Sequence, residues 1–177
     1  MKVTLLMAQT VDGKVAHGRN EFIDWTSKED KKFFVAETKR AGAVIMGRAT
    51  FDTIGRPLPG RTIFVMTRTP RESIEDEKGK VIFSSASPKE LIAAIESLGF
   101  PEAILAGGPT INTLFLKDNL IDEIKLTIEP KLFGAGIPLF DGTDIDKLPI
   151  TELELMSTTP LTPQVILLHY RVVTGNS

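Results

Sequence analysis

The sequence predicts an α/β fold in which a mixed, mostly parallel central sheet is flanked by helices on both faces. Over the first two thirds of the chain, short apolar segments alternate with helical segments, which is the pattern of βαβ units. The last third contains mainly strand-like segments, which indicates antiparallel additions at a sheet edge. With 177 residues, 42% of them hydrophobic, the chain can fill one ordinary core. We therefore expect a single domain over residues 1–173 and a short tail at 174–177.

Eight segments rich in branched and aromatic residues predict the strands, at Lys2–Ala8, Ala43–Gly47, Thr62–Thr67, Val81–Phe83, Ala103–Ala106, Ile121–Pro130, Leu153–Thr158 and Val165–Val173. Four segments with helical periodicity or cap signals predict helices, at Lys28–Arg40, Arg48–Ile54, Ser87–Gly99 and Gly107–Lys117. The polar stretches at residues 9–26 and 69–80 predict connections. A loop as long as the first is often functional, and a solvated excursion is an equally good interpretation.

The start of the first predicted helix contains an acidic residue with two interpretations. Thr26 or Ser27 can cap the helix, and Glu29 or Asp30 can complete a capping box. Asp30 also lies one turn before two phenylalanines, a spacing that can place its carboxylate beside aromatic rings and a polar heterocycle. From the residues alone, the capping role is favoured.

Composition excludes several classes of function. The chain has no cysteine, which excludes disulfides and thiolate chemistry, and no carboxylates lie at metal-ligand spacing around His17 or His169. We therefore expect no metal site. A net charge of −2 without a long basic block gives no support for nucleic-acid binding. No apolar run approaches the roughly 20 residues of a membrane span, and there is no secretion signal pattern, so a cytoplasmic protein without membrane contact is expected.

Two strand-to-helix junctions are candidates for a phosphate-binding site. Gly107 and Gly108 open a helix in the segment LAGGPTINTLF, and Gly47 precedes Arg48 and Thr50 in GRAT. Glycine lets the backbone approach a ligand closely, and free N–H groups at a helix start attract phosphate. Both junctions follow strands whose carboxyl ends line the ligand crevice of open α/β sheets. A tight turn without a ligand is the alternative for the glycine pair.

The segment IMGRATFDTIGRPLPGR at residues 45–61 closely resembles the most recognisable stretch of the dihydrofolate reductase family. The start MAQTVDGKVA, the segment LAGGPTIN and the order of elements extend the resemblance over nearly the whole chain. The resemblance implies the family's mixed, mostly parallel sheet. It also implies NADPH-dependent reduction of 7,8-dihydrofolate to tetrahydrofolate by hydride transfer.

The resemblance also assigns roles to residues. The family has its substrate carboxylate five residues after a tryptophan, and Trp25 and Asp30 have that spacing; Thr127 matches the threonine paired with this acid, so the implied catalytic residues are Asp30 and Thr127. Without the resemblance, Trp25 is by default a packing residue. The implied substrate-binding residues are Leu6, Ala8, Trp25, Phe34, Ile54 and Arg61, the last as a clamp for the α-carboxylate of a folate tail. The implied cofactor-binding residues are Ala8, Val15, Gly47, Arg48, Thr50, Thr67, Arg68, Ala106, Gly107, Gly108 and Thr110.

A second resemblance competes with the first. TVDGKVA near the start and EPKLFGAGIPLF at residues 129–140 look more like the reductase domain of riboflavin biosynthesis, which shares this fold. That relative reduces a ribosylaminopyrimidine phosphate, so the expected partner is a small pterin or pyrimidine substrate. A relative that binds a nucleotide without turnover is a third alternative. The sequence leaves open whether the protein is a monomer or a homodimer.

Overall fold

The computed structural model describes residues 1–18, 24–69, 71–143, 145–148 and 150–173, so the predicted tail at 174–177 lies outside the described residues. The strands are β1 (Lys2–Thr10), β2 (Lys14–Ala16), β3 (Ala43–Gly47), β4 (Thr62–Met66), β5 (Ile74–Asp76), β6 (Gly79–Ser84), β7 (Glu102–Leu105), β8 (Glu123–Glu129), β9 (Ile137–Pro138), β10 (Glu152–Pro160) and β11 (Ile166–Val173).

Nine strands form one sheet in the order β10-β11-β8-β1-β7-β3-β4-β6-β5, and β2 pairs with β9. The six central strands from β8 to β6 run parallel to one another. Antiparallel pairs add β11 and β10 at one edge and β5 at the other. The prediction of a mixed, mostly parallel sheet is confirmed.

The helices of the described chain are α1 (Lys28–Ala41), α2 (Arg48–Ile54), α3 (Pro88–Ser97) and α4 (Pro109–Lys117). Local signals explain where they begin and end. The Ser27 hydroxyl caps α1 by accepting a hydrogen bond from the Asp30 N–H, and Gly42 ends it with a φ of 74°, which suits glycine. Ser87 and Glu90 form a complete capping box at the start of α3.

Alternating side chains on the central strands divide the core between the two faces of the sheet. On β3, Ala43 and Ile45 pack in the cluster under α3 and α4, whereas Val44 and Met46 pack in the cluster under α1 and α2. All four side chains are fully buried. Helices therefore cover both faces, as predicted.

Three short strands and a 3₁₀ turn at Ile145–Lys147 differ from the prediction. The predicted loop at residues 9–26 contains the end of β1 and all of β2, and the predicted connection at 69–80 contains β5 and the start of β6. These two predictions are wrong in those parts. Strands of two or three residues, such as β2, β5 and β9, have too few positions to display a period of two.

The Asp12 carboxylate joins the turn after β1 to the loop after β8. It accepts hydrogen bonds from the Thr10 hydroxyl at 2.6 Å, the Phe133 N–H at 3.2 Å and the Gly134 N–H at 2.7 Å. These donors, led by Thr10, lower the pKa of Asp12 to about 2. The carboxylate form therefore holds this contact between two loops that lie 121 residues apart in the sequence.

We expect Asp12→Asn to lower the melting temperature at neutral pH. The pKa of Asp12 falls from 3.8 to about 2 on folding, so its carboxylate stabilises the fold above pH 3.8, and this contribution is lost as the pH falls toward 2. Thermal unfolding of both proteins across this range measures the difference, which should shrink with acid. A difference that does not depend on pH would show that the charge of Asp12 is not what holds the two loops together.

Candidate active site

The carboxyl ends of β3 and β7 are joined directly. The Gly47 N–H donates to the Gly107 carbonyl at 2.8 Å, and the Ala106 N–H donates to the Ile45 carbonyl at 2.8 Å. Helices α2 and α4 follow these strands and therefore start side by side. Their N-cap residues, Gly47 and Gly108, make no side-chain cap hydrogen bond within the described chain. The first N–H groups of both helices can thus bind a ligand.

The glycines at these two junctions occupy positions where a larger residue meets resistance. A Cβ on Gly47 would lie 2.8 Å from Cγ1 of Ile111, and a Cβ on Gly108 would lie 3.1 Å from the Thr50 hydroxyl oxygen. Gly107 has a φ of 89°, in the region that favours glycine. The structure brings together the predicted cofactor residues of this group, and we call Gly47, Gly107 and Gly108 the glycine cradle.

The other predicted cofactor residues border the same edge of the sheet. Arg48 is exposed at the start of α2, where its Nε donates to the Asp52 carboxylate at 3.2 Å. Thr67 and Arg68 follow β4, the neighbour of β3. The remaining members of the set are Ala8 near the end of β1, Val15 in β2, Ala106 before the cradle and Thr110 in the first turn of α4. The roles of all these residues stay predictions.

Side chains of β8 meet the start and middle of α1 on one face of the sheet. Alternate residues of a strand point to the same side, so three polar residues of β8 face the helix. Because α1 and β8 run in opposite directions, successive contact residues along the helix meet residues of β8 in reverse order. We call these contacts the α1–β8 ladder, and its pairs are Glu129 with Ser27, Thr127 with Asp30, and Lys125 with Glu37.

The Asp30 carboxyl is not used as a helix cap. The Ser27 hydroxyl accepts a hydrogen bond from the Asp30 N–H at 3.2 Å, as in a capping box. The Ser27 N–H, however, donates to Oε1 of Glu129 at 2.8 Å. The capping interpretation of the Asp30 carboxyl is therefore wrong, because another carboxylate fills that place. Asp30 is left beside the Thr127 hydroxyl.

Burial is the largest cause of a raised pKa at Asp30. The nearby charge of Glu129 raises the pKa further, whereas the hydroxyls of Thr127 and Thr26 and the charge of Lys31 lower it. The two raising effects prevail. Asp30 is thus a half-buried carboxyl with a perturbed pKa, which is typical of candidate functional sites.

Two buried polar groups near the start of α1 have no hydrogen-bond partner among the described residues. One is the Thr127 hydroxyl, which lies close enough to Asp30 to lower its pKa but does not reach it with hydrogen-bonding geometry. The other is Nε1 of Trp25. Buried polar groups are normally satisfied, so these two are available to a bound ligand or an ordered water.

Trp25 packs in an aromatic cluster. Its ring meets Phe133 edge-on with centroids 5.0 Å apart, and Phe133 stacks on His17 with centroids 3.6 Å apart. The Lys131 ammonium lies 5.8 Å from the Trp25 ring and donates a hydrogen bond to the Trp25 carbonyl. The cluster connects the segment before α1 to the loop after β8. The predicted contact of Trp25 with a substrate stays a prediction.

The predicted apolar substrate residues are gathered beneath α1. Phe34 packs against the buried cluster that contains Leu6 and against the cluster that includes Ile54. Ala8 pairs in register with Thr127 on the neighbouring strand. These residues share the face of the sheet that carries Asp30, so the structure brings the predicted substrate set together apart from Arg61.

Arg61 lies at the amino end of β4, on the opposite edge of the sheet from the glycine cradle. Its side chain is buried; Nε donates to the Pro59 carbonyl at 3.1 Å and Nη1 donates to the Thr38 hydroxyl at 2.7 Å. Burial lowers the pKa of Arg61. Thr38 is near the end of α1, whereas Asp30 is near its start. The role of Arg61 as a clamp for a folate tail stays a prediction.

Glu129 was not among the predicted site residues. It is only 2% exposed, at the end of a strand that is otherwise part of the core. A sequence signal does exist, because Lys125, Thr127 and Glu129 alternate with apolar residues in IKLTIEP. That signal predicts a polar face on β8, but it does not identify the partner on this face, since Ser27 is 102 residues away in the sequence.

Over the described ranges, no three His, Asp or Glu side chains lie together as metal ligands. No helix in this part of the chain is long and apolar enough to span a membrane.

The sequence matches a known family and a curated relative. The family model for dihydrofolate reductase matches residues 2–136. A protein of Caenorhabditis elegans described as a putative dihydrofolate reductase is 31% identical over 165 residues, which cover 86% of this chain and 85% of that protein.

Two solved structures resemble the whole chain. A putative riboflavin biosynthesis protein from Shewanella sp. PV-4 has a TM-score of 0.73 at 25% identity, covering 98% of this chain and 100% of that one. The dihydrofolate reductase of Enterococcus faecalis, solved as a complex with NADP(H) and RAB-propyl, has a TM-score of 0.70 at 22% identity, covering 98% of this chain and 97% of that one. The second likeness is one of fold.

We expect Asp30→Asn to stabilise the fold at neutral pH. The raised pKa means that folding disfavours the carboxylate, so removing the charge stabilises the protein at neutral pH. This gain in stability should vanish as the pH falls, first through the pKa of Asp30 in the folded protein and then through its pKa in the unfolded chain. Below both values, Asp30 is neutral in the folded and the unfolded state. Chemical denaturation across this pH range measures it. Asp24→Asn, which removes an exposed carboxylate paired with Lys31, is the control and should not stabilise the fold.

Proposed function

This chain belongs to the dihydrofolate reductase family, and we propose that it reduces 7,8-dihydrofolate to tetrahydrofolate with hydride from NADPH. The observation that carries the proposal is the Asp30 carboxyl, which is freed from helix capping and lies beside the Thr127 hydroxyl, a group without a hydrogen-bond partner among the described residues. Thr127 pairs in register with Ala8, and β1 lies between β8 and β7. The substrate pair and the glycine cradle therefore flank the end of one strand.

Asp30 binds the pterin by its polar edge. As an anion it accepts hydrogen bonds from the amino group and a ring N–H, while the Thr127 hydroxyl, which can both donate and accept, orients this edge. A negative charge held against the ring also favours its protonated form, which is the better hydride acceptor. Burial raises the pKa of Asp30, so this carboxyl takes up a proton more readily than an ordinary aspartate does.

The glycine cradle fits the diphosphate of a dinucleotide, because two helix starts expose their N–H groups there and the cradle has no side chains of its own. When bound, the reduced nicotinamide supplies the hydride. Arg48 and Arg68 are exposed at this edge and supply positive charge for a further phosphate, which favours NADPH over NADH. Thr50, Thr67 and Thr110 offer hydroxyls to the phosphates of the cofactor.

The length of α1 favours a substrate with an acidic tail. Asp30, Phe34 and Thr38 are spaced by four and so lie along one side of the helix. Thr38 holds Arg61 near the other end. Eight residues of helix correspond to about 12 Å. A folate carries its pterin at one end and an α-carboxylate at the other, so it matches a carboxyl and a guanidinium at this separation.

Reduction of a ribosylaminopyrimidine phosphate is the second candidate, and the state of Arg61 favours it. The Nε–H and one Nη1–H of Arg61 already donate to Pro59 and Thr38, which leaves fewer donors of this buried guanidinium for a clamp on a tail. A substrate without a glutamate tail needs no such clamp. The likeness to the Shewanella protein over the whole chain points the same way.

We expect the purified protein to oxidise NADPH with dihydrofolate and Asp30→Asn to lower kcat/KM by about 100-fold or more, because the ring loses the anion that favours its protonation. Absorbance measures turnover, and fluorescence should show an unchanged affinity for NADPH. Asp24→Asn should behave as wild type. Turnover on the ribosylaminopyrimidine phosphate alone would support the second candidate, and NADPH binding without turnover on either substrate would refute both.

We expect Arg61→Lys to raise KM for dihydrofolate by about tenfold, since lysine keeps the charge but loses the planar fork that binds a carboxylate. KM for 6-methyl-7,8-dihydropterin, which has no glutamate, should stay unchanged. Thr38→Val removes the hydrogen bond to Arg61 without altering the charge and reports the cost of disturbing this buried contact. Equal changes on the two substrates would contradict a role for Arg61 in binding the tail.

A further inference from the structure

We propose that Glu129 is a positioning residue of this site: its buried carboxylate holds the Ser27 amide at the start of α1, leaves the Asp30 carboxyl free to face the substrate, and adds a second negative charge beside it. The inference rests on the proposed function only in taking Asp30 as the group that binds the substrate.

Two separate constraints place Glu129. Along β8 it lies two residues after Thr127 and pairs in register with Thr10 of β1, so it shares the face of the sheet on which Thr127 meets α1. Its Oε1 accepts the Ser27 N–H at 2.8 Å. At 2% exposure the carboxylate is almost wholly removed from water. Burial of a carboxylate is costly, so its presence here calls for a role that an apolar residue could not fill.

The capping box at the start of α3 shows which hydrogen bond Glu129 replaces at the start of α1. At the start of α3, the Ser87 hydroxyl accepts a hydrogen bond from the Glu90 N–H, and the Glu90 carboxylate accepts one from the Ser87 N–H at 2.8 Å. At the start of α1, the first of these bonds is kept and the second is given to Glu129. The residue that corresponds to Glu90 is Asp30. The Asp30 carboxyl is therefore not needed for capping, because the Glu129 carboxylate on β8 accepts the Ser27 N–H.

The charged groups on the elements that neighbour the Asp30–Glu129 pair have partners of their own. The charges of Glu129 and Lys31 act on the pKa of Asp30 in opposite directions, since Glu129 raises it and Lys31 lowers it. The groups and their partners are Lys31 with Asp24, Lys131 with the Trp25 carbonyl, Lys125 with Glu37, and Asp12 with the amides of Phe133 and Gly134.

Two substitutions separate the hydrogen bond of Glu129 from its charge. Glu129→Gln keeps an oxygen that can accept the Ser27 N–H and removes the charge, whereas Glu129→Leu removes both. Carbon-detected NMR should show the titration midpoint of Asp30 moving to lower pH in both variants, because a neighbouring negative charge is gone. Hydrogen exchange at the Ser27 amide should quicken by about tenfold in Glu129→Leu and stay near wild type in Glu129→Gln. The pH profile of kcat/KM should move with the Asp30 midpoint.

Glu123→Gln is the matched control, since it removes the same charge from the other end of β8, where Glu123 contacts Lys2 and His169. It should leave the Asp30 titration unchanged. An Asp30 midpoint that does not move in Glu129→Gln would overturn the inference. So would exchange of the Ser27 amide that stays at the wild-type rate in Glu129→Leu. The expected NMR results in a protein without reductase activity would sustain the inference and refute the proposed function.

Discussion

The hydrogen bond from the Ser27 amide to the buried Glu129 carboxylate determines how the first turn of α1 meets the sheet. A helix start has free N–H groups that need acceptors, and in most helices a nearby side chain provides one. Here the acceptor comes from β8. Together with the Ser27 hydroxyl, which caps the Asp30 N–H, this bond satisfies the helix start. It also attaches the start to the end of a central strand and releases the Asp30 carboxyl.

The rest of the α1–β8 ladder depends on this attachment. With its start fixed, α1 runs in the direction opposite to β8 and meets its side chains, so that Thr127 lies beside Asp30 and Lys125 binds Glu37. The opposite end of the helix is held by Thr38, whose hydroxyl accepts a hydrogen bond from Arg61. The helix is thus anchored at both ends by buried polar contacts to the sheet and to the loop before β4, while Phe34 packs between them.

The sequence predicts the repeating parts of this molecule well and its long-range polar contacts poorly. The central strands and the four helices follow from periodicity and cap residues, and the junctions at Gly47 and Gly107 follow from local glycine patterns. Asp30 was ambiguous, because a capping box and a binding carboxyl have the same local sequence. Only the position of Glu129 separates them, and no local pattern relates residue 129 to residue 27. The sequence does not predict the burial of Arg61 either, because this burial depends on packing between α1 and the loop before β4.

Strand β1 separates the two halves of the site. In the sheet, the polar residues of β8 lie on one side of it, and the glycine cradle at the ends of β7 and β3 lies on the other. Helix α1 packs over β7 and β3 and contacts the polar residues of β8 through its side chains. The strand keeps the polar residues of β8 apart from the glycine cradle, so substitutions on β8 need not disturb the cradle. In evolutionary terms, the substrate of such a fold can diverge through changes on β8 and at the start of α1 while the ligand of the cradle stays the same. A fold organised in this way supports a family of reductases with a common electron source and varied substrates.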